Sequence, residues 1–315
     1  YYRFCLKYHI DCDLTPEQVH KIGLKEVNRV HQEIKRLLAR AGFEGDLRFR
    51  EMLMRFWGWE SSQNRDKLYY PQSLEGGQQA LQDYREYLRQ VTLKLPALFS
   101  LLPKTKLLVR PAPFYKGGAY YQGASMDGKR EGIFYTSLFT PPFKPGMKTL
   151  AVHEGIPGHH FQVSLEREAP GYRVFRYLFF FTAYVEGWAL YSEKLAMENG
   201  WFEDFYSQVG YLQSELLRAV RVVVDTGIHY KRWSFRQALD YMRDNLGMEA
   251  PGEVDRYILW PGQACAYKIG ELKILELRKR AQKELKKKFQ VREFHAAVLE
   301  NGSAPLPILE AYIDE

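Results

Sequence analysis

The sequence predicts a mainly α fold carrying a small β insertion, and three observations lead there. Apolar residues recur at helical spacing over long stretches on both sides of a short middle region. That middle region, about residues 106–137, breaks instead into β-rich runs separated by Gly, Pro and Asp-Gly. No internal repeat or low-complexity linker divides the 315 residues, so one helical domain over 1–315 is the simplest organisation.

In order along the chain, Thr15, Pro16 and Glu17 supply an N-cap, a first-turn proline and a first-turn acid. Val19, Ile22, Val27, Val30, Ile34 and Leu37 then repeat at helical spacing as far as Gly42. A second helix is expected at about 76–95, closed by Pro96. Leu107 to Arg110, Gly118 to Tyr121 and Gly132 to Thr136 read as strands of a small sheet or hairpin. Prolines at 141, 142 and 145 mark a loop. Helical patterning returns at about 149–166, 172–200, 204–230, 234–246, 253–256, 263–287 and 291–300.

Composition sets limits on function. The 46% hydrophobic fraction and mean hydropathy of −0.41 suit a globular core, and the 15% aromatic content suits a thick helical core or an aromatic cleft. The formal charge is +7, and much of the excess lies between Arg278 and Lys288. On a helix such a run forms a solvated face, and no nucleic-acid-binding motif accompanies it. Cys5, Cys12 and Cys265 are odd in number and form no C-x-x-C pair, and Cys265 reads as a packed core thiol. No apolar run reaches the ~18 residues of a membrane helix. The chain opens at Tyr1 without an initiator Met or a signal-peptide pattern, as a chain whose leader was removed would; periplasmic (exported) and cytoplasmic locations both stay open.

The chemistry concentrates in His153-Glu154-Gly155-Ile156-Pro157-Gly158-His159-His160. A hydrolytic zinc site needs three protein ligands and one open position, with a carboxylate beside the bound water as general base. Adjacent His and Glu supply one ligand and the base. In the common H-E-x-x-H pattern the second His follows one turn later, whereas here it is displaced. On a straight helix His159 would lie about 240° round from His153, and His160 would be in phase but ~10.5 Å along the axis. Pro157 and Gly158 permit a bulge over 156–158 that could turn His159 back. Helical phase alone favours His160. A third ligand is expected on a neighbouring helix, and Glu186, an acid in an aromatic stretch, needs a buried partner that zinc would provide. Glu193 lies two turns on and in phase, either behind the ligands or on the helix surface.

These motifs carry a resemblance. His153 to His160, the segment Tyr184 to Tyr191, Asp225 to His229, Trp260 to Ala264 with Tyr267 to Gly270, and Asp127-Gly128 with Gly132 to Tyr135 together resemble the bacterial domain-of-unknown-function 885 family over essentially the whole chain. Members of that family are usually longer at the N-terminus, so the chain resembles their C-terminal portion. The family in turn is similar to thimet-type oligopeptidases and Taq-type carboxypeptidases, gluzincin-like metallopeptidases. That similarity implies His159 rather than His160 as second histidine ligand, with His153 and Glu186 as the others. It implies an oxyanion-stabilising role for Tyr267, assisted by His229, and an edge strand among Gly118 to Tyr135 that receives peptide backbone. Arg218 and Arg221 are candidates to hold a substrate carboxylate, with structural ion pairing the competing reading. The expected activity is zinc-dependent hydrolysis of short peptides, with Glu154 as base. A zinc amidohydrolase acting on a non-peptide small amide, or a non-catalytic metal-binding protein, are the alternatives.

Overall fold

A computed structural model describes residues 1–43, 47–113, 119–169 and 179–314. Fourteen α-helices and three strands lie among them. The first helix, α1 (Tyr2–Ile10), precedes α2 (Pro16–Arg40). Helix α2 starts as expected: the Thr15 hydroxyl accepts from the Gln18 N–H while Gln18 reaches back to the Thr15 N–H, a reciprocal cap. Next come α3 (Phe49–Gln63), α4 (Arg65–Leu68) and α5 (Leu74–Lys94), the last closed by a 3₁₀ turn, Leu95–Ala97. Neither α3 nor α4 was among the expected helices, although Phe49, Met52, Leu53 and Phe56 of α3 are buried at helical spacing.

The middle region forms a three-stranded sheet of β1 (Leu107–Pro111), β2 (Ala119–Gln122) and β3 (Gly132–Thr136) in the order β1-β3-β2. It is more than a hairpin, because β1 runs parallel to β3 while β2 pairs antiparallel with it, Tyr120 opposite Tyr135 and Tyr121 opposite Phe134. Gly118, expected to open the second strand, lies outside the described residues. The remaining helices are α6 (Lys144–Glu154), α7 (His159–Glu168), α8 (Thr182–Glu198), α9 (Phe205–His229), α10 (Phe235–Leu246), α11 (Pro251–Leu259), α12 (Gln263–Leu285), α13 (Val291–Leu299) and α14 (Leu306–Asp314). The stretch expected as one helix over 149–166 is two helices, and the start of the helix expected at 172 lies outside the described residues.

Two features of the core fix the long helices against one another. Helices α8 and α12 cross with their backbones touching, because both residues at the crossing are glycines. A Cβ on Gly187 would stand 2.5 Å from Gly270 Cα, and one on Gly270 would stand 1.9 Å from the Ala183 carbonyl oxygen. Beside this crossing Lys268 of α12 is fully buried; its Nζ lies 2.9 Å from Glu215 Oε1 of α9 and also bonds Glu271. Arg29 of α2 joins Glu26, Glu33 and Glu215 to the same network. The basic run at the end of α12 is partly committed in the same way. Arg278 pairs with Glu198 and Arg280 with Glu310 and Asp314, while Lys283 and Lys286 to Lys288 are exposed. Among the described residues no helix is long and apolar enough to cross a membrane.

Removing one partner of a buried ion pair leaves an uncompensated charge. Lys268→Ala, which leaves Glu271 without its cation and Glu215 with Arg29 alone, is expected to destabilise the chain by about 3–5 kcal/mol. A fall in the urea unfolding midpoint measures it, and an unchanged midpoint would show that the network contributes nothing.

Candidate metal centre

The site forms where α6 ends. The helix stops at Glu154, and the turn Gly155 to Gly158 sends the chain into α7 with His159 as its first residue. The distortion expected at 156–158 is therefore a full break between two helices, with Ile156–Pro157 a cis peptide bond. Gly158 is required by packing: a Cβ there would stand 2.1 Å from the His153 carbonyl oxygen and 2.2 Å from that of Val152. The turn is held from outside by α8, since Trp188 Nε1 and Ser192 Oγ donate to the Pro157 carbonyl oxygen at 2.7 and 3.2 Å. Proline adds no N–H of its own, and its carbonyl, freed from the helix ladder, takes two donors instead.

The same helix supplies the acids. Glu186 Oε2 lies 3.6 Å from His153 Nε2 and 3.4 Å from His159 Nε2, and one ligand atom from each of the three residues falls within 4.8 Å of the others. Seven residues further on, hence nearly in phase, Glu193 places Oε1 2.7 Å from His153 Nδ1. Glu193 is fully buried and has Arg218 Nη2 of α9 at 3.7 Å, so it acts behind the histidine and is no surface acid. With Nδ1 engaged, Nε2 is the nitrogen that faces Glu186.

Electrostatics reflect this crowding. Burial opposes a charge on His153, but the Glu186 and Glu193 carboxylates outweigh it and bring the imidazole up to about 9. Burial likewise opposes charge on Glu186, yet the two imidazoles hold it well below the usual carboxylate range. Glu186 Oε2 nonetheless has no hydrogen-bond partner.

His160 goes elsewhere. Its Nδ1 lies 3.2 Å from the Tyr121 hydroxyl and its Nε2 3.2 Å from the Thr105 carbonyl oxygen, and burial lowers its pKa to about 4, so the ring is neutral. A cavity of about 390 Å³ opens over the three converging residues, and Glu154 and Tyr267 also line it. Tyr267, on α12 just before the glycine crossing, stacks parallel to His153 with ring centroids 6.5 Å apart. Burial and the Glu186 charge raise its phenol pKa, keeping it a proton donor. A larger cavity of about 520 Å³ lies on the other side of His160 against β1, and none of the three converging residues lines it.

His229 does not line the site cavity. Its Nε2 bonds the Tyr257 carbonyl oxygen at 2.8 Å and its ring stacks on Tyr2, a placement that lends no support to an oxyanion role. Asp225 is not hydrogen-bonded to it. Its carboxylate accepts from the Tyr2 hydroxyl and from the Gly262 N–H, beside the buried Cys265 thiol. Arg221 is taken by Glu253 and Tyr257, and Arg218 by Glu193 and Ser214. Internal pairs thus engage both arginines, although Arg218 Nε is buried without a hydrogen-bond partner. The cavity wall includes Val163 and Arg167, which sequence reasoning missed. Their signal was present, since His159, Val163 and Arg167 recur at i, i+4, i+8 on one face of α7.

The packing at Gly158 makes a prediction. Gly158→Ala forces the α6–α7 turn apart and should cost on the order of 2 kcal/mol or more, with His159 displaced from Glu186. Calorimetric unfolding measures the cost, and an unperturbed melting temperature would contradict it.

The chain has relatives with known sequences and structures. A family model described as "bacterial protein of unknown function (DUF885)" matches residues 1–313. Among solved structures, a "putative lipoprotein from Colwellia psychrerythraea" is 37% identical and superposes with a TM-score of 0.92 over all of this chain and 54% of its own. A "putative lipoprotein of unknown function from Shewanella oneidensis", 20% identical with a TM-score of 0.78, shares the fold over all of this chain and 59% of its own. The chain thus spans little more than half the length of each. No curated protein matches it. From residue 1 to residue 313, the chain belongs to the DUF885 family of bacterial proteins.

Proposed function

We propose that the chain carries a zinc-dependent hydrolase site that cleaves short peptides. The observation that carries this reading is the convergence of His153, His159 and Glu186 on one point, in a cavity that Glu154 also lines. The donors suit the ion. Ligand atoms on a tetrahedral zinc with bonds of about 2.0–2.1 Å stand roughly 3.3–3.4 Å apart. The two donor separations to Glu186 Oε2 are 3.6 and 3.4 Å. That buried oxygen lacks a hydrogen-bond partner, as a ligand atom would. Three protein ligands rather than four favour a hydrolytic site over a structural one.

A bound zinc ion would polarise the substrate carbonyl and lower the pKa of a coordinated water. The chain's own groups supply the rest. Glu154 accepts the water proton and passes it to the leaving amine. The protonated Tyr267 hydroxyl donates to the oxygen that becomes negative in the transition state. Glu193 holds His153 by Nδ1, fixing which nitrogen is offered. Among the described residues strand β2 pairs with β3 on one side only, and its Tyr120 and Tyr121 line the cavity, which supports an extended peptide adding to the free edge. The resemblance to gluzincin-like peptidases implies the same edge strand, ligand set and base, and supports the reading to that extent. An aromatic cavity of this size also admits a non-peptide small amide, and substrate profiling separates the two.

Zinc-reconstituted protein should bind about one ion per chain. His159→Ala should abolish tight binding, and His160→Ala should retain it, because His160 is engaged with Tyr121 and Thr105. The opposite pattern by metal analysis would reverse the assignment. Glu154→Gln should keep zinc while losing about 10²–10⁴-fold in peptide hydrolysis. Peptidase assays on that variant check it, and activity within tenfold of wild type would remove Glu154 from the role of base. Glu193→Ala should weaken zinc about 10–100-fold. Competition with a chelating dye measures this, and unaltered affinity would remove Glu193 as the orienting acid.

A further inference from the structure

Beside the candidate zinc site lies a smaller polar cavity of about 200 Å³, lined by Arg130 and Glu131 from the β2–β3 connection and by Arg167 and Glu168 of α7. The two cavities share Arg167 as a wall residue. The two acids are already engaged. Glu168 accepts from the Lys104 and Thr105 N–H groups, each at 2.8 Å, and from the Thr105 hydroxyl at 2.6 Å, while Glu131 accepts from the Lys106 N–H at 3.1 Å.

The arginines differ. Arg130 Nη1 is buried and has no hydrogen-bond partner. Arg167 Nη1 donates to the Ala124 carbonyl oxygen, which ties its guanidinium across the connection. Tyr121 lines the larger of the two cavities, and burial raises its phenol pKa while the charges of Arg167 and Arg130 pull it down, so both guanidiniums lie within its electrostatic reach. A buried guanidinium donor without an acceptor is costly. A ligand oxyanion would remove that cost, and a carboxylate matches the planar fork best.

We infer that Arg130 and Arg167 form an anion subsite that receives a carboxylate of the substrate next to the hydrolytic cavity. The inference rests on the hydrolase reading and adds a substrate class: short peptides whose free C-terminal carboxylate, or acidic side chain, lies close to the scissile amide. Neutral analogues would leave the buried guanidinium unpaired, so discrimination comes from the mismatch as well as from the match.

The test compares an alanine tripeptide with its C-terminal amide, and amidated tripeptides ending in aspartate or asparagine, on zinc-loaded protein. The carboxylated member of at least one pair should be favoured about 10–100-fold in kcat/KM, chiefly through KM, as charge-assisted hydrogen bonds imply. A response in the first pair assigns the C-terminal carboxylate, and one in the second assigns the side chain. Arg130→Gln should collapse the preference toward one, and Arg130→Lys should restore part of it. Equal cleavage within both pairs, or a preference that survives Arg130→Gln, overturns the subsite and leaves the hydrolase reading intact. If wild-type protein cleaves none of the peptides, the hydrolase reading falls, and calorimetric titration of the same peptides into Glu154→Gln protein decides the subsite. Tenfold tighter binding of the carboxylated member, lost on adding Arg130→Gln, supports it, and equal or absent binding overturns it.

Discussion

An ionised carboxylate inside a protein must be compensated, and Glu186 imposes that demand on everything around it. It projects from α8 into a cavity whose nearest polar groups are two imidazoles, at 3.6 and 3.4 Å, one from each side of a helix break. A proton on His153 supplies part of that compensation, favoured by Glu186 and Glu193 together, which bring the imidazole up to about 9 against burial. A divalent ion among the same three groups would supply it instead and displace that proton. The break between α6 and α7, the donors on Pro157 and the anchoring of His153 by Glu193 all serve to keep the two histidines facing this one acid.

Helix α8 organises the arrangement. Glu186 and Glu193, two turns apart, meet the first histidine from opposite nitrogens, while Trp188 and Ser192 grip the turn that delivers the second. Its glycine contact with α12 lets two backbones meet and sets Tyr267 against His153. The buried network of Lys268 and Glu271 on α12, Glu215 on α9 and Arg29 on α2 is a second polar system within the largely apolar interior. Charge pairing in both couples helix placement to these groups, while Glu186 Oε2, Glu193 Oε2 and Glu215 Oε2 stay buried without a hydrogen-bond partner.

The sheet contributes position and access. Among the described residues β3 lies in the middle and β2 is an edge at the cavity, and Tyr121 on it is tied to His160. The residue that helical phase alone favoured as a ligand thus holds the wall of the site. Arg167 lines both that cavity and the smaller one that Arg130 lines, whereas Arg218 and Arg221 are engaged by internal pairs.

By itself the sequence determined the helical class, the β-rich middle and the identity of the chemical groups, because periodicity, caps and a His-Glu pair are local signals. The Thr15 cap, the long α2 and the three short strands needed no knowledge of neighbours. Glu186 was legible as an acid in an apolar stretch, and Pro157 with Gly158 as residues that permit a break in the helix. Other features were decided by tertiary structure. On a helix the phase of His160 is better than that of His159, and only the break after Glu154 reverses that order. His229 has the right chemistry but is turned toward Tyr257 and Tyr2. Arg130 and Arg167 stand far apart in sequence and share a cavity wall through the packing of the β2–β3 connection on α7. Residue type and spacing fix what a segment can do locally, whereas the partner a side chain meets depends on contacts between segments remote in the chain.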